Sequence, residues 1–217
     1  MSQATAIPAR DVGAHGHTHD GPESHHHPIY DYDSGPPVDR AKFAIWLFLA
    51  TEVMFFTGLI GTYIVLRIGT ATWPNPESRL AVDITAANTF LLITSSWTMV
   101  RALHAIGKGD RAGLLKWLGG TILGGAIFVS VQVYEYIELI QHGSLPNVDI
   151  FWSTFYAMTG FHGLHVVVGV IWLIAIWIAA ARGKFTAQNY LRVELAGLYW
   201  HFVDLVWVLL FTIVYLM

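Results

Sequence analysis

The stretch IFWSTFYAMTGFHGLHVVVGVIWLIAIWIAAA, Ile150 to Ala181, runs for 32 residues without an Asp, Glu, Lys or Arg. A helix needs about 20 predominantly apolar residues to cross a hydrocarbon core roughly 30 Å thick. At 1.5 Å per residue this run reaches about 48 Å, so it tilts or projects beyond a bilayer. It reads as a transmembrane helix. Two imidazoles, His162 and His165, sit inside it among apolar, aromatic and small residues. Three readings are open for them: metal or haem ligands, part of a proton path, or packing residues whose ring nitrogens are satisfied by neighbouring helices.

The rest of the 217-residue chain agrees with a membrane setting. It is 54% hydrophobic and 12% charged, where soluble domains carry about 25% charged residues, and its mean hydropathy is +0.50. Nine Trp, nine Tyr and twelve Phe suit helices anchored by rings at headgroup level. The formal net charge of −3 points to no nucleic-acid partner. The absence of cysteine excludes disulfides, iron–sulfur clusters, blue-copper sites, thiolate-ligated haem and c-type haem attachment.

Four further apolar runs accompany the first, and the predicted fold is an all-α integral membrane protein, a bundle of five transmembrane helices. The expected helices cover about 43–66, 84–106, 114–138, 150–181 and 194–217. Ten of the twelve Lys and Arg fall on one side of this arrangement; Arg67 and Arg79 are the minority. The positive-inside rule places the basic loops, with Arg101, Lys108, Arg111, Lys116, Arg182, Lys184 and Arg192, in the cytoplasm. The N-terminus is then inside and the C-terminus outside.

Residues 1–41 form a polar tail rich in Gly, Pro and His, expected to be cytoplasmic and largely disordered. Its His15, His17, His19, His25, His26 and His27 allow weak metal binding, although their spacing is irregular and no cysteine accompanies them. A secretory leader is not expected.

Ionisable groups inside the runs are the candidate functional residues. Glu52 lies about 15 Å along the first helix from Lys42, and its stripe of Phe48, Glu52, Phe55, Leu59 and Thr62 is expected to face protein. Gln132 and Glu135 share a face near the end of the third helix, with Glu138 as an interfacial cap. His162, His165 and Gly169 share a stripe of the fourth. Glu194, His201 and Asp204 lie within one face of the fifth. These are read as buried polar, structural or lipid-linked positions, without a catalytic or metal assignment. A haem–copper catalytic core would need about six membrane histidines; here His162, His165 and His201 lie well inside apolar runs, with His104 and His142 at edges. Two of them on different helices leave a single low-spin haem as an open reading.

Four motifs resemble one family in the right order. LATEVMFFTG (Leu49 to Gly58) resembles the glutamate-bearing helix of subunit III of haem–copper cytochrome c oxidases, and QVYEY (Gln132 to Tyr136) resembles its Gln-x-x-Glu-Tyr. STFYAMTGFHGLHVVVG (Ser153 to Gly169) is similar to its Thr-Gly-Phe-His-Gly-Leu-His signature. VELAGLYWHFVDLVWVLLFTIVYL (Val193 to Leu216) is similar to its last helix. The resemblance covers residues 43 to 217 and the short five-helix bacterial form, which lacks the first two helices of the seven-helix form.

The resemblance implies a subunit with no catalytic residue of its own inside an oxidoreductase complex that couples O2 reduction to proton translocation. It implies no haem or copper on this chain, those groups being held by partner subunits. It implies contact with catalytic subunit I and with subunit II, help in keeping the catalytic centre stable, support of proton uptake, and phospholipid bound between helices. It also implies a bacterial cytoplasmic membrane. His162 and His165 then become interhelical hydrogen-bond residues. The quinol oxidase branch is also five-helical and can carry a His-rich tail, so the electron donor stays open. A free-standing transporter or a small haem-binding membrane protein is the more remote alternative.

Overall fold

The structure is a computed structural model that describes residues 39–71, 73–74 and 80–217. The histidines of the tail and Arg79 lie outside the described residues. Five long helices follow one another: α1 (Arg40–Gly69), α2 (Val82–Gly107), α3 (Arg111–Gln141), α4 (Ile150–Ala181) and α5 (Leu191–Phe211), the last continued by a π turn over Thr212–Leu216. Several helices begin or end a few residues beyond the apolar runs. The reason is capping, which apolar content does not register. Asp39 accepts a hydrogen bond from the Ala41 amide at 2.8 Å, Asp110 from Gly113 at 2.9 Å and Asp149 from Trp152 at 2.9 Å, satisfying amides that a helix start leaves free.

The C-terminal ends are equally local in origin. Gly109, Gly143 and Gly183 have φ of 76°, 78° and 75°, a left-handed conformation that glycine adopts without strain. Each lies just beyond a helix, and the following amide reaches back to the last turn: Asp110 to Ala105, Ser144 to Leu139 and Lys184 to Ala179. This pattern terminates α2, α3 and α4 alike.

Helices α2, α3, α4 and α5 close into a ring in which each packs on the next and α5 packs back on α2; α1 lies against α4 and α5. Small residues set the distances. A Cβ on Gly124 of α3 would stand 2.8 Å from Ser95 of α2, and one on Gly125 would stand 2.4 Å from the Trp200 ring of α5. The core is largely aromatic, with Trp152, Trp200, Trp207, Tyr63, Tyr215, Phe128, Phe151 and Phe155 fully buried. Large apolar side chains also cover the outside, among them Met54, Val65, Phe90, Leu123 and Leu164, as a lipid-facing surface requires.

Among the described residues four helices are long and apolar enough to cross a membrane: α1, α3, α4 and α5 with its extension. α2 has 26 residues but is more polar, carrying Thr85, Asn88, Thr89, Ser95 and Ser96 on the side turned toward its neighbours.

Candidate functional site

The buried seam of α1 is Leu49, Phe56 and Tyr63, one residue every two turns. The stripe expected to face protein lies along its edge and does so in part: Phe48 stacks on Tyr199, Phe55 meets Phe161 edge-on and Leu59 packs on the core. Phe48 and Phe55 remain 41% and 38% exposed, and Thr62 is exposed. Glu52 therefore sits at the edge of the seam, half-buried, where it meets α4.

Its partner is His165. The His165 Nε2 lies 3.1 Å from Glu52 Oε2, while Nδ1 lies 2.7 Å from the Phe161 carbonyl of the preceding turn. A carbonyl only accepts, so Nδ1 carries a proton. Close contact between Nε2 and the carboxyl then calls for one more proton between them, on either side. The Phe56 ring packs edge-on to His165 at 5.3 Å, and the Tyr199 hydroxyl donates to the His165 carbonyl at 3.0 Å. One tie thus joins α1, α4 and α5 at mid-depth.

His162, one turn away, behaves differently. It is fully buried, and neither ring nitrogen has a hydrogen-bond partner among the described residues. This corrects the expectation that it bonds between helices. The ring stacks on Trp207 with centroids 4.9 Å apart and planes 29° apart, and is closed in by Phe56 and Phe128. His162 is part of an aromatic box.

A second set of polar contacts surrounds α2. Trp207 Nε1 donates to Thr89 Oγ1 at 2.9 Å, and Trp200 Nε1 donates to Ser95 Oγ at 3.1 Å. Ser96 Oγ and His201 Nδ1 are 2.7 Å apart, Thr98 and Thr121 hydroxyls 2.8 Å apart, and Asn88 donates to the Phe128 carbonyl at 3.2 Å. Toward the α3 end, Tyr215 donates to Glu135 at 3.1 Å and Thr85 to the same carboxylate at 3.4 Å. Gln132 donates to the Thr159 carbonyl at 2.9 Å, and the Tyr136 and Thr159 hydroxyls are 2.6 Å apart. Gln132 and Glu135, expected on one face, are both buried but serve different neighbours. Glu138 is exposed.

Glu194 pairs with Lys42 at 2.7 Å, both about one third exposed, where α5 and α1 begin. It stands apart from His201 and Asp204, with which its face was grouped. Asp204 is buried with one carboxyl oxygen unpartnered. The α2 hydroxyls were missed in the sequence. The available signal was a helical period of small polar residues: Thr85, Asn88, Thr89, Ser95 and Ser96 fall within one sector of α2.

Among the described residues no group of three or more His, Asp or Glu is placed to hold a metal ion. Both nitrogens of His165 are engaged and His162 is enclosed by rings, so neither is set out as an axial ligand. The arrangement as a whole is chemistry of cohesion: donors and acceptors joined across helices in a buried interior.

The family model for cytochrome c oxidase subunit III matches residues 34–217. The chain is 37% identical over 172 residues to the quinol oxidase subunit 3 of Bacillus spizizenii, covering 79% of this chain and 84% of that one. It is 39% identical over 207 residues to the cytochrome c oxidase subunit 3 of a Synechocystis species, covering 94% and 80%. It is 35% identical over 201 residues to the cytochrome bo(3) ubiquinol oxidase subunit 3 of Pseudomonas aeruginosa, covering 93% and 95%.

Proposed function

The chain belongs to the cytochrome c oxidase subunit III family, and we propose that it acts as a non-catalytic subunit of a proton-pumping haem–copper terminal oxidase, bracing the catalytic subunit and supporting proton uptake. The observation that carries this reading is the use made of the polar groups. Glu52, Gln132, Glu135, His165 and Glu194 each bond to another helix. Side chains committed in this way hold a scaffold in register; they leave the O2 chemistry to haem and copper on partner subunits I and II.

Phospholipid binding between the helices is part of the proposal. It is supported by a cavity of about 410 Å³ at the end of α4, lined by Ala179, Lys184, Phe185, Asn189 and Arg192. Two cations beside an aromatic ring suit an anionic headgroup at the inner surface.

We place the chain in a bacterial cytoplasmic membrane, with residues 1–41 as a cytoplasmic tail and residues 42–217 as the membrane domain. α2 is taken as the fifth crossing, its polar side turned to α3 and α5. Reporter fusions at Lys108 and Phe185 are then expected to read cytoplasmic and one at Ser144 periplasmic. The reverse pattern would put the number of crossings wrong by one.

The function is tested on the purified complex. Subunit identification is expected to find this chain with the haem-bearing subunit. Removing it is expected to leave the haem spectrum intact while the complex inactivates sooner during turnover. A stoichiometric Soret band on the isolated chain would overturn the reading. The named relatives divide between cytochrome c and quinol oxidases, so the donor is assigned by which of the two the purified complex oxidises.

A further inference from the structure

Near the C-terminal end of α3, one carboxyl is buried yet not shut in. Glu135 is 8% exposed and lies about 9 Å along the helix from Gln141. It lines a cavity of about 300 Å³. Glu135 and Trp152 are the buried part of the lining, while Ala81, Glu138 and His142 on the same cavity are exposed. The cavity therefore leads from the surface of the protein to the Glu135 carboxyl.

The hydrogen bonds around Glu135 fit either protonation state. Tyr215 donates to Oε1 at 3.1 Å. Thr85 has one hydroxyl proton and two acceptors for it: the Ala81 carbonyl at 3.0 Å, and the carboxyl oxygens at 3.4 and 3.5 Å. With Glu135 ionised, Thr85 gives its proton to the carboxylate. With Glu135 protonated, the acid donates from Oε2 to Thr85 Oγ1, and Thr85 turns its proton to Ala81. Oε1 keeps the Tyr215 bond in both. The change asks for one hydroxyl rotation and no movement of a helix. Among the described residues no Lys or Arg pairs with this carboxyl, so no counter-charge fixes one state. The ionisable groups around it are Tyr136, Glu138 and His142 of α3, Tyr156 of α4 and Tyr215 beyond α5. From α2 it is met by the uncharged Thr85, with Asp83 exposed.

The exposed part of the cavity carries groups that pass protons on. His142 Nδ1 lies 2.8 Å from the Glu138 carbonyl, so it carries a proton. Nε2 is then the nitrogen that gains and loses one, and it has no partner among the described residues. We propose that Glu135 is a proton-exchange site open to the outer aqueous phase, with His142 and Glu138 as its relay. On release the Oε2–H bond breaks, the proton passes by way of solvent to His142 Nε2, an N–H bond forms there, and the proton then leaves to bulk water. Uptake is the reverse. This rests on the reading of the chain as part of a proton-pumping oxidase with the C-terminal end of α3 outside. It adds to that reading a reversible store for one proton on the side where the pump discharges.

The test uses the intact complex, isotope-labelled at glutamate and oriented in liposomes. The infrared carbonyl stretch of protonated carboxyls is followed as the outer pH is stepped with the inner pH held. A band that falls as the outer pH rises is expected, and its loss in Glu135→Gln, whose amide keeps an acceptor for Tyr215 and a donor for Thr85. Tyr215→Phe, which keeps the ring and removes one hydrogen bond, is expected to shift the band without removing it. His142→Ala is expected to leave the end point in place and slow the approach to it severalfold; an unslowed variant would overturn the relay. A band that ignores the outer pH, follows the inner pH instead, or survives in Glu135→Gln would overturn the site. In each of those cases the chain still copurifies with the oxidase and its assigned function stands. A Ser144 reporter reading cytoplasmic, or failure to copurify, would remove that reading and this site with it, and both are seen without the infrared measurement.

Discussion

Of the helices packed on α5, α1 and α2 are attached in opposite ways. α1 is strongly apolar and buries little: Leu49, Phe56 and Tyr63 form a narrow seam. It is tied by a few charged contacts, Lys42 to Glu194 and Glu52 to His165, with Arg67 reaching the Met217 carbonyl at the far end. α2 is more polar yet buries far more, including Thr85, Asn88, Thr89, Ser95 and Met99. It is held by many modest bonds, most memorably the hydroxyls that accept from the indoles of Trp200 and Trp207. Hydropathy alone therefore ranks these helices in the wrong order of burial. A polar residue turned into a bundle strengthens it, because water is not there to compete for its hydrogen bond.

The sharpest way to break this contrast is on the α2 side. Trp200→Ala removes a buried ring that fills the space above Gly125 and Gly169 and leaves Ser95 without its donor. It is expected to cost about 3–5 kcal/mol, read as a lowered melting temperature of the purified complex and reduced chain in the membrane. An intact, fully assembled variant would show that the α2–α5 seam is not where stability resides.

On the α1 side the effect is smaller and depends on chemistry rather than volume. Glu52→Ala leaves His165 Nε2 unpaired in a half-buried site and is expected to cost about 1–3 kcal/mol. Glu52→Gln keeps the shape and can donate an amide proton to that nitrogen, so stability, turnover and pumping are expected to stay nearly unchanged. Loss of pumping in a fully assembled Glu52→Gln complex would make the carboxyl an obligatory proton carrier and not an anchor.

The smallest effect belongs to the end of α1. Lys42→Ala breaks an ion pair whose partners are each about one third exposed, where solvent and salt screen the attraction. A double-mutant cycle with Glu194→Ala is expected to return a coupling smaller than that between Glu52 and His165. A larger coupling would move the main attachment of α1 to its N-terminal end.

Much of this was legible in the sequence because it is local. Long apolar runs, aspartates before them and glycines after them fix where each helix lies. Pairings across helices were harder. His162 and His165 are three residues apart, about 60° around α4, and read as one stripe. That sector is wide enough for two different neighbours: an aromatic box for one, Glu52 for the other. Likewise Phe48, Glu52 and Phe55 read as an inward face, whereas the seam runs through Leu49 and Phe56. No periodicity reveals which neighbour occupies which sector. Glu52 and His165 are 113 residues apart, and only the packing of α1 onto α4 brings them together.

The contact between those two side chains also bears on the electric field that a working oxidase builds across its membrane. The His165 Nδ1 proton is committed to the Phe161 carbonyl, so the contact holds one mobile proton in total. The pair is an imidazolium with a carboxylate or an imidazole with a carboxylic acid, and its net charge is zero in both. A full charge displaced across the membrane couples to the potential by about 2.3 kcal/mol per 100 mV. A proton passing between Nε2 and Oε2, atoms 3.1 Å apart, moves through only part of that separation within a neutral pair and couples to only a small fraction of that energy. The joint between α1 and α4 is therefore nearly blind to voltage: it holds with the same strength whether the membrane is charged or at rest.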